Sequence, residues 1–278
     1  MKIALVVPSA LKMLPFDMVW SFFHAFAYLE SRQDDLPFEI DHLEIIAPKT
    51  FPIDANRNMA VAQLIEKGFD MSIWFDADQT FPKNMIFRLL LNPEPIVAGM
   101  YFIKGSPFYP VIYRETKDSK KSGAFNWFNP IVEYPENECF HADMIGMGCV
   151  KIATKVFKDI AKIYGDEKPE FFRYGINPVT IEENEIDTPD LNKYRDKYLI
   201  RDVTEDVFFW KLVRDHTDYK ILVDPKVQCG HITEIISNQN LFKNFYETRF
   251  AQIEKDNPEE AKKIKDSICR AEPAKKAS

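Results

Sequence analysis

Two aspartates separated by one residue close an apolar run at Trp74-Phe75-Asp76-Ala77-Asp78. Carboxylates this close repel each other and call for a compensating positive charge. Hard oxygen ligands suit Mg²⁺ or Mn²⁺, and a divalent cation bridging a diphosphate would supply that charge. Aspartate after a strand is also common in a solvated turn. A second acid pair, Glu205-Asp206, follows Thr204 and precedes the apolar Val207-Phe208-Phe209-Trp210. Such acids can serve as a general base, and they also favour the positive end of a helix dipole. His231 ends the run Val223-Asp224-Pro225-Lys226-Val227-Gln228-Cys229-Gly230-His231. An imidazole there can ligate a metal, act as a base near neutral pH, or make a purely structural hydrogen bond. Gly146 and Gly148 interrupt the run from His141 to Cys149. Small residues inside a strand let a ligand or another backbone come close, and they also mark bulges and tight packing. Arg57, beside Asn58, can pair with a phosphate or with Asp76 or Asp78.

These residues need elements to position them. The first half of the chain alternates strand and helix patterns. Strands are predicted over Lys2–Val7, Ile40–Ile46, Met71–Phe75 and Pro95–Tyr101, and helices over Phe16–Glu30, Asp54–Lys67 and Lys83–Leu91, with Asp54 as an N-cap. Strands alternating with helices argue for a mostly parallel sheet covered on both faces. Ligands then bind at the carboxyl ends of the strands, where Asp76 and Asp78 fall. Further on, the pattern predicts a glycine-containing strand over Ala142–Ile152, a helix over Lys155–Tyr164, a helix over Thr204–Asp215 capped by Thr204, and a strand over Lys220–Val223. Glu115–Ser122 and Gly165–Leu199 read as loops, the second long enough to be a lid. Glu254–Ser278 reads as a charged, frayed tail.

The chain has 278 residues, of which 46% are hydrophobic and 28% charged, enough for a sizeable core. A net charge of -7 excludes a general affinity for polyanions. The four cysteines form no C-x-x-C pair, which argues against a structural zinc site. Cys149 and Cys229 lie in apolar runs and read as buried thiols, so a reducing, cytoplasmic compartment is expected. The start, MKIALVVPSALKMLPF, is broken by Pro8 and Ser9 and reads as a buried strand rather than a signal peptide. No run is long enough to span a bilayer.

The order of these features resembles the glycosyltransferase family 2-like enzymes of GT-A fold: an acid pair after a strand, a glycine strand, a Glu-Asp helix, then strand-Gly-His. The resemblance runs from Lys2 to His231. It implies an α/β GT-A-like domain, a mostly parallel sheet flanked by helices, over 1–240, with a charged extension over 241–278. It implies that Asp76, Asp78 and His231 hold Mn²⁺ or Mg²⁺ against the diphosphate of a nucleotide-sugar donor. Arg57, Asp76, Gly146 and Gly148 would contact the donor, the glycines keeping the backbone low beside the sugar. Asp206 would be the base that activates an acceptor hydroxyl, which implies inversion although a retaining outcome stays open, and Glu205 would position or polarise. The acceptor is open among glycan, protein, small molecule and modified nucleobase. Two other readings remain. A sugar nucleotidyltransferase would usually carry a glycine-rich loop near its N-terminus, where this chain has Pro8-Ser9-Ala10-Leu11-Lys12. A non-catalytic carbohydrate-binding protein would not need both acid pairs and the histidine.

Overall fold

The structure is a computed structural model, and it describes residues 1–9, 13–49, 52–104, 109–115, 128–131, 133–165, 167–174, 204–232, 251–259 and 261–262. The loop expected over Gly165–Leu199 and the tail after 262 fall largely outside these residues. The chain divides into two compact units, Met1–Thr233 and Glu234–Ser278. In the second unit, residues 251–256 are helical.

The first unit is α/β, with helices on both faces of a seven-stranded sheet. Its strands are β1 (Lys2–Val6), β2 (His42–Ile46), β3 (Met71–Phe75), β5 (Ile96–Met100), β8 (Phe140–Ala142), β10 (Cys149–Ala153) and β11 (Ile221–Gln228). They lie in the order β2-β1-β3-β10-β5-β11-β8. β3 and β5 are buried at every position, as expected when both faces of a strand are covered. Alternate residues feed two cores. Val6, Trp74, Ala98 and Val150 pack with α2 (Ile53–Glu66), α4 (Thr154–Ala161) and α5 (Glu205–His216). Leu5, Ile73, Val97 and Cys149 pack with α1 (Phe16–Arg32) and α3 (Met85–Leu91).

The sheet is mixed. β1 pairs in parallel with β2 and β3, and β5 with β11, but β10 runs antiparallel between β3 and β5. The strand expected over Ala142–Ile152 is three pieces: β8, the short β9 (Met144–Ile145) and β10, with Gly146 and Gly148 in the turn before β10. Breaking the chain there lets β8 join the edge of the large sheet while β9 joins a small sheet with β6 (Ile112–Glu115) and β7 (Phe128–Pro130). The strand expected over Lys220–Val223 continues to Gln228, past Pro225, through a register shift. Proline is tolerated at such an irregularity because no ladder donor is needed. Asp224 is held there by a two-pronged pair with Arg88, from Nε to Oδ2 at 2.8 Å and Nη2 to Oδ1 at 2.9 Å. Of the two expected caps, Pro52 rather than Asp54 is the N-cap of α2, while Thr204 is the N-cap of α5 as expected, without a side-chain cap bond. Cys149 and Cys229 are buried free thiols, as their surroundings in the sequence predict.

Candidate functional site

β3 ends at Phe75, so Asp76 emerges at the carboxyl edge of the sheet. The turn Asp76-Ala77-Asp78 leads into β4 (Gln79–Thr80). β4 pairs antiparallel with β12 (Gly230–His231), matching His231 to Gln79 and Gly230 to Thr80. The Ile232 amide also donates to the Asp78 carbonyl at 2.7 Å. This small ladder makes neighbours of the Asp-x-Asp turn and the Gly-His segment. Gly230 is needed because a Cβ there would sit 2.5 Å from Thr80 Oγ1.

His231 Nδ1 lies 2.7 Å from the Phe102 carbonyl and donates to it. Nε2 therefore faces Asp78 Oδ1, 3.5 Å away. In the neutral ring this nitrogen is a lone pair opposite a carboxylate, so a proton or a cation belongs between them. The carboxylate raises the His231 pKa above its ordinary value, helped by the Phe102 carbonyl. Asp78 in turn is brought down to about 2 by His231, with Lys104 adding to the effect. Lys104 forms an ion pair with the same carboxylate.

Arg57 joins the two acid motifs. It lies on α2, is buried, and places Nη1 2.6 Å from Glu205 Oε1 and Nη2 3.1 Å from Asp76 Oδ1. A planar fork can span two carboxylates in this way, whereas a lysine ammonium cannot. Asn58, the next residue, holds the backbone of Phe171 and Phe172: its Oδ1 accepts both amides and its Nδ2 donates to the Phe172 carbonyl at 2.6 Å. The Phe172 ring lies under the Arg57 guanidinium at 5.8 Å and stacks on Phe209 of α5 at 4.8 Å. Trp74 of β3 meets Phe172 at 5.7 Å and Phe157 at 6.0 Å. This aromatic layer fixes α5 against β3, with Glu205 at the helix start turned inward onto Arg57.

Glu205 and Asp206 then differ sharply. Glu205 is buried and ion-paired, and burial, only partly opposed by Arg57, raises its pKa. Asp206 is half-exposed, and its Oδ1 accepts from the Thr204 hydroxyl and the Val207 amide. Burial also raises Asp76, with Arg57 opposing and the charges of Asp78 and Asp206 adding to the rise. Around this edge the carboxylates of Asp76, Asp78, Glu205 and Asp206 face the cations of Arg57 and Lys104, so among the described residues negative charge is in excess.

Gly146 and Gly148 have close neighbours from the site itself. A Cβ on Gly146 would lie 1.7 Å from the Tyr101 hydroxyl, and one on Gly148 would lie 2.1 Å from Gln79 Nε2 and 2.7 Å from Asp76 Oδ2. Tyr101, Gln79 and Lys104 are site residues that no motif singled out. Tyr101 is buried, accepts the Gly148 amide at 3.3 Å, and meets the His231 ring edge to face at 5.8 Å. Burial beside Asp76 and Asp206 pushes its pKa well above the usual tyrosine value. Gln79 is fully buried, and neither end of its carboxamide has a hydrogen-bond partner among the described residues. Gln79 directly follows Asp78, which was the only available signal for it. Beyond the carboxyl ends of β1 and β2, a cavity of about 490 Å³ is lined by Val7, Met18, Phe22, Ile45, Pro48 and Lys49, among others. Its Phe22 ring meets Phe75, next to Asp76, at 5.5 Å.

Among the described residues, no three His, Cys, Asp or Glu side chains converge as a ready metal site. Asp78 and His231 nevertheless fit a divalent cation as a pair. They offer a hard oxygen and an imidazole lone pair of fixed tautomer, with the second nitrogen tied to a carbonyl as metal-binding histidines commonly are. Asp76 is turned to Arg57 and Gly148 instead.

The chain matches no protein-family model and no curated protein. Among solved structures, A197 from STIV aligns over 84% of this chain and 87% of its own length, at 13% identity and a TM-score of 0.45. GalNAc-T7 with UDP, GalNAc and Mn²⁺ aligns over 84% of this chain and 44% of its own, at 11% identity and a TM-score of 0.46. The catalytic domain of Drosophila β1,4-galactosyltransferase 7 in complex with xylobiose aligns over 57% of this chain and 51% of its own, at 13% identity and a TM-score of 0.31. The chain thus spans about half the length of these two transferases. At such identities and TM-scores the overlaps carry no information about ligand or reaction. No helix among the described residues is long and apolar enough to cross a membrane.

Proposed function

We propose that this chain is a glycosyltransferase that moves a sugar from a nucleotide-sugar donor to an acceptor hydroxyl with the help of Mn²⁺ or Mg²⁺. The observation that carries the reading is the meeting of both acid motifs on Arg57, beside an Asp78–His231 pair, at a strand edge where carboxylates outnumber cations among the described residues. Such an excess suits a cation carrying a diphosphate. When bound, the ion supplies charge neutralisation for the departing diphosphate.

Asp78 and His231 are the ligand pair in this reading, and Arg57 holds Asp76 and Glu205 in register. Asp206 is the acid of its pair that keeps solvent exposure, and its Oδ1 is anchored by Thr204 and Val207. That anchoring leaves Oδ2 to take the acceptor proton. The acceptor oxygen then bonds to the anomeric carbon as the bond from that carbon to the diphosphate oxygen breaks, which inverts the centre. Glu205, tied to Arg57, positions rather than abstracts. The apolar cavity beside Phe22 offers burial for the faces of a nucleobase.

Calorimetry of a nucleoside diphosphate with Mn²⁺, on wild type and Asp78→Ala, tests the reading. Binding that requires Mn²⁺ and disappears in the variant is expected. Equal affinity in both, with or without the metal, overturns it.

A further inference from the structure

The opposite end of the sheet, where β1, β3 and β5 begin, holds another cavity of about 470 Å³. Lys151 reaches into it from the central strand β10, between Ile73 and Val97, and is 3% exposed. Its ammonium donates to the Asn92 carbonyl. Among the described residues no carboxylate lies within ion-pair distance of it, and Glu94 acts only from further away. A buried ammonium without a counter-charge is unfavourable. Burial already brings this amine down to about 8.

Three further features converge on the same cavity. β10 runs directly into α4, whose N-cap position is Ala153, with no side-chain cap. The positive end of that helix therefore opens beside Lys151. The Thr154 hydroxyl, on the first residue of α4, is buried with no partner among the described residues. Lys158, one turn on, is exposed and lines the same cavity. The neighbouring Lys155 contributes only its stem, because its ammonium lies 5.5 Å over the Tyr219 ring. Two acids also line the cavity. Asp70 accepts the Lys2 amide at 2.7 Å, and Glu94 is exposed. Their charge opposes any anion, and Lys151, Lys158 and the helix end are the groups that offset it.

We propose that this cavity binds phosphate or a small phosphate monoester, held by Lys151, Lys158, the Thr154 hydroxyl and the amino end of α4. The Thr154 amide is taken by the Asp70 carbonyl at 2.9 Å, so a tetrahedral oxyanion would accept from the Thr154 hydroxyl, the later amides of the first turn and the remaining ammonium protons, and it provides the missing counter-charge. The site lies at the far end of β10 from Gly148, and it does not depend on the transfer reading.

The test is calorimetry with inorganic phosphate in the presence of EDTA, on the full chain. Wild type should bind saturably. Lys151→Met keeps the stem and removes the charge, and should bind about tenfold more weakly. Thr154→Val and Lys158→Gln should lose less, and Asp78→Ala should bind as wild type does. At one phosphate concentration the melting temperature of wild type should rise more than that of Lys151→Met. Glycerol 3-phosphate separates the two sources: tighter binding than phosphate assigns the cavity to an ester, equal binding to the free ion. Should Lys151→Met fail to fold, Lys158→Gln carries the test through its calorimetric loss. No saturable phosphate binding by wild type, unchanged affinity in both lysine variants, or a loss confined to Asp78→Ala would each overturn the proposal.

Discussion

Glu205 and Asp206 are chemically alike and adjacent, yet they differ in what surrounds them. Arg57 pairs with Glu205 in the interior, while Asp206 stays half-exposed at the start of α5. If Asp206 is the base, Asp206→Asn should lower turnover by a factor on the order of 10²–10⁴, with donor and metal binding nearly intact. Asparagine is nearly isosteric and can still accept from Val207, so the fold should survive. If the acids serve only the helix dipole, each is worth roughly 0.3–1 kcal/mol and turnover should not move. Single-turnover kinetics beside a thermal melt separates the two cases. At this scale Arg57 and the acids of the two pairs were legible because their types stand out in apolar surroundings. Tyr101, Gln79 and Lys104 were not, because such residues near a strand end have no distinctive spacing.

The site is assembled by elements that meet only in three dimensions. Arg57 on α2 reaches Asp76 after β3 and Glu205 on α5, so its removal should loosen all three. Arg57→Met leaves Glu205 buried without its cation, keeping only a side-chain hydrogen bond with Tyr174, which should cost about 3–5 kcal/mol in urea unfolding. The double variant Arg57→Met/Glu205→Leu should recover most of that loss. A single-variant cost below about 1 kcal/mol, the range of exposed pairs, would show that the clamp does not support the fold. Gly148 makes a separate test. Alanine there would crowd Gln79 and Asp76, whereas alanine at Gly99 would crowd Val227 and Cys149, at 2.5 and 2.7 Å. Both should cost roughly 1–3 kcal/mol by overpacking. Only Gly148→Ala should weaken Mn²⁺-dependent diphosphate binding. Equal binding by the two alanine variants would remove Gly148 from the site. The antiparallel β10 puts Gly148 next to Asp76, through the Asp76 amide bond to the Gly148 carbonyl at 3.1 Å.

For the whole molecule, a ligand that binds only the folded chain stabilises it by mass action. A nucleoside diphosphate with Mn²⁺ at 100 times its Kd should add about 2.7 kcal/mol, read as a higher Tm. EDTA should abolish that rise. A rise that survives EDTA would point to a binding mode independent of the cation.

Local pattern determined a good deal here. The run Met71–Phe75, apolar but for Ser72, bounds β3, and the acids directly after it mark the carboxyl edge of the sheet. The α/β class follows from strand and helix periods alternating along the first half. These signals are local, since side-chain period and turn chemistry span only a few residues. What only the tertiary structure decided was pairing. β10 turns antiparallel because it enters the sheet from the glycine turn before it, and nothing in its own residues states a direction. His231 lies on Asp78 because β12 pairs with β4, and Arg57 meets Glu205 from 148 residues away because an aromatic layer holds α5 against β3. Contacts of such separation depend on the register and burial of whole elements, which composition and spacing do not encode.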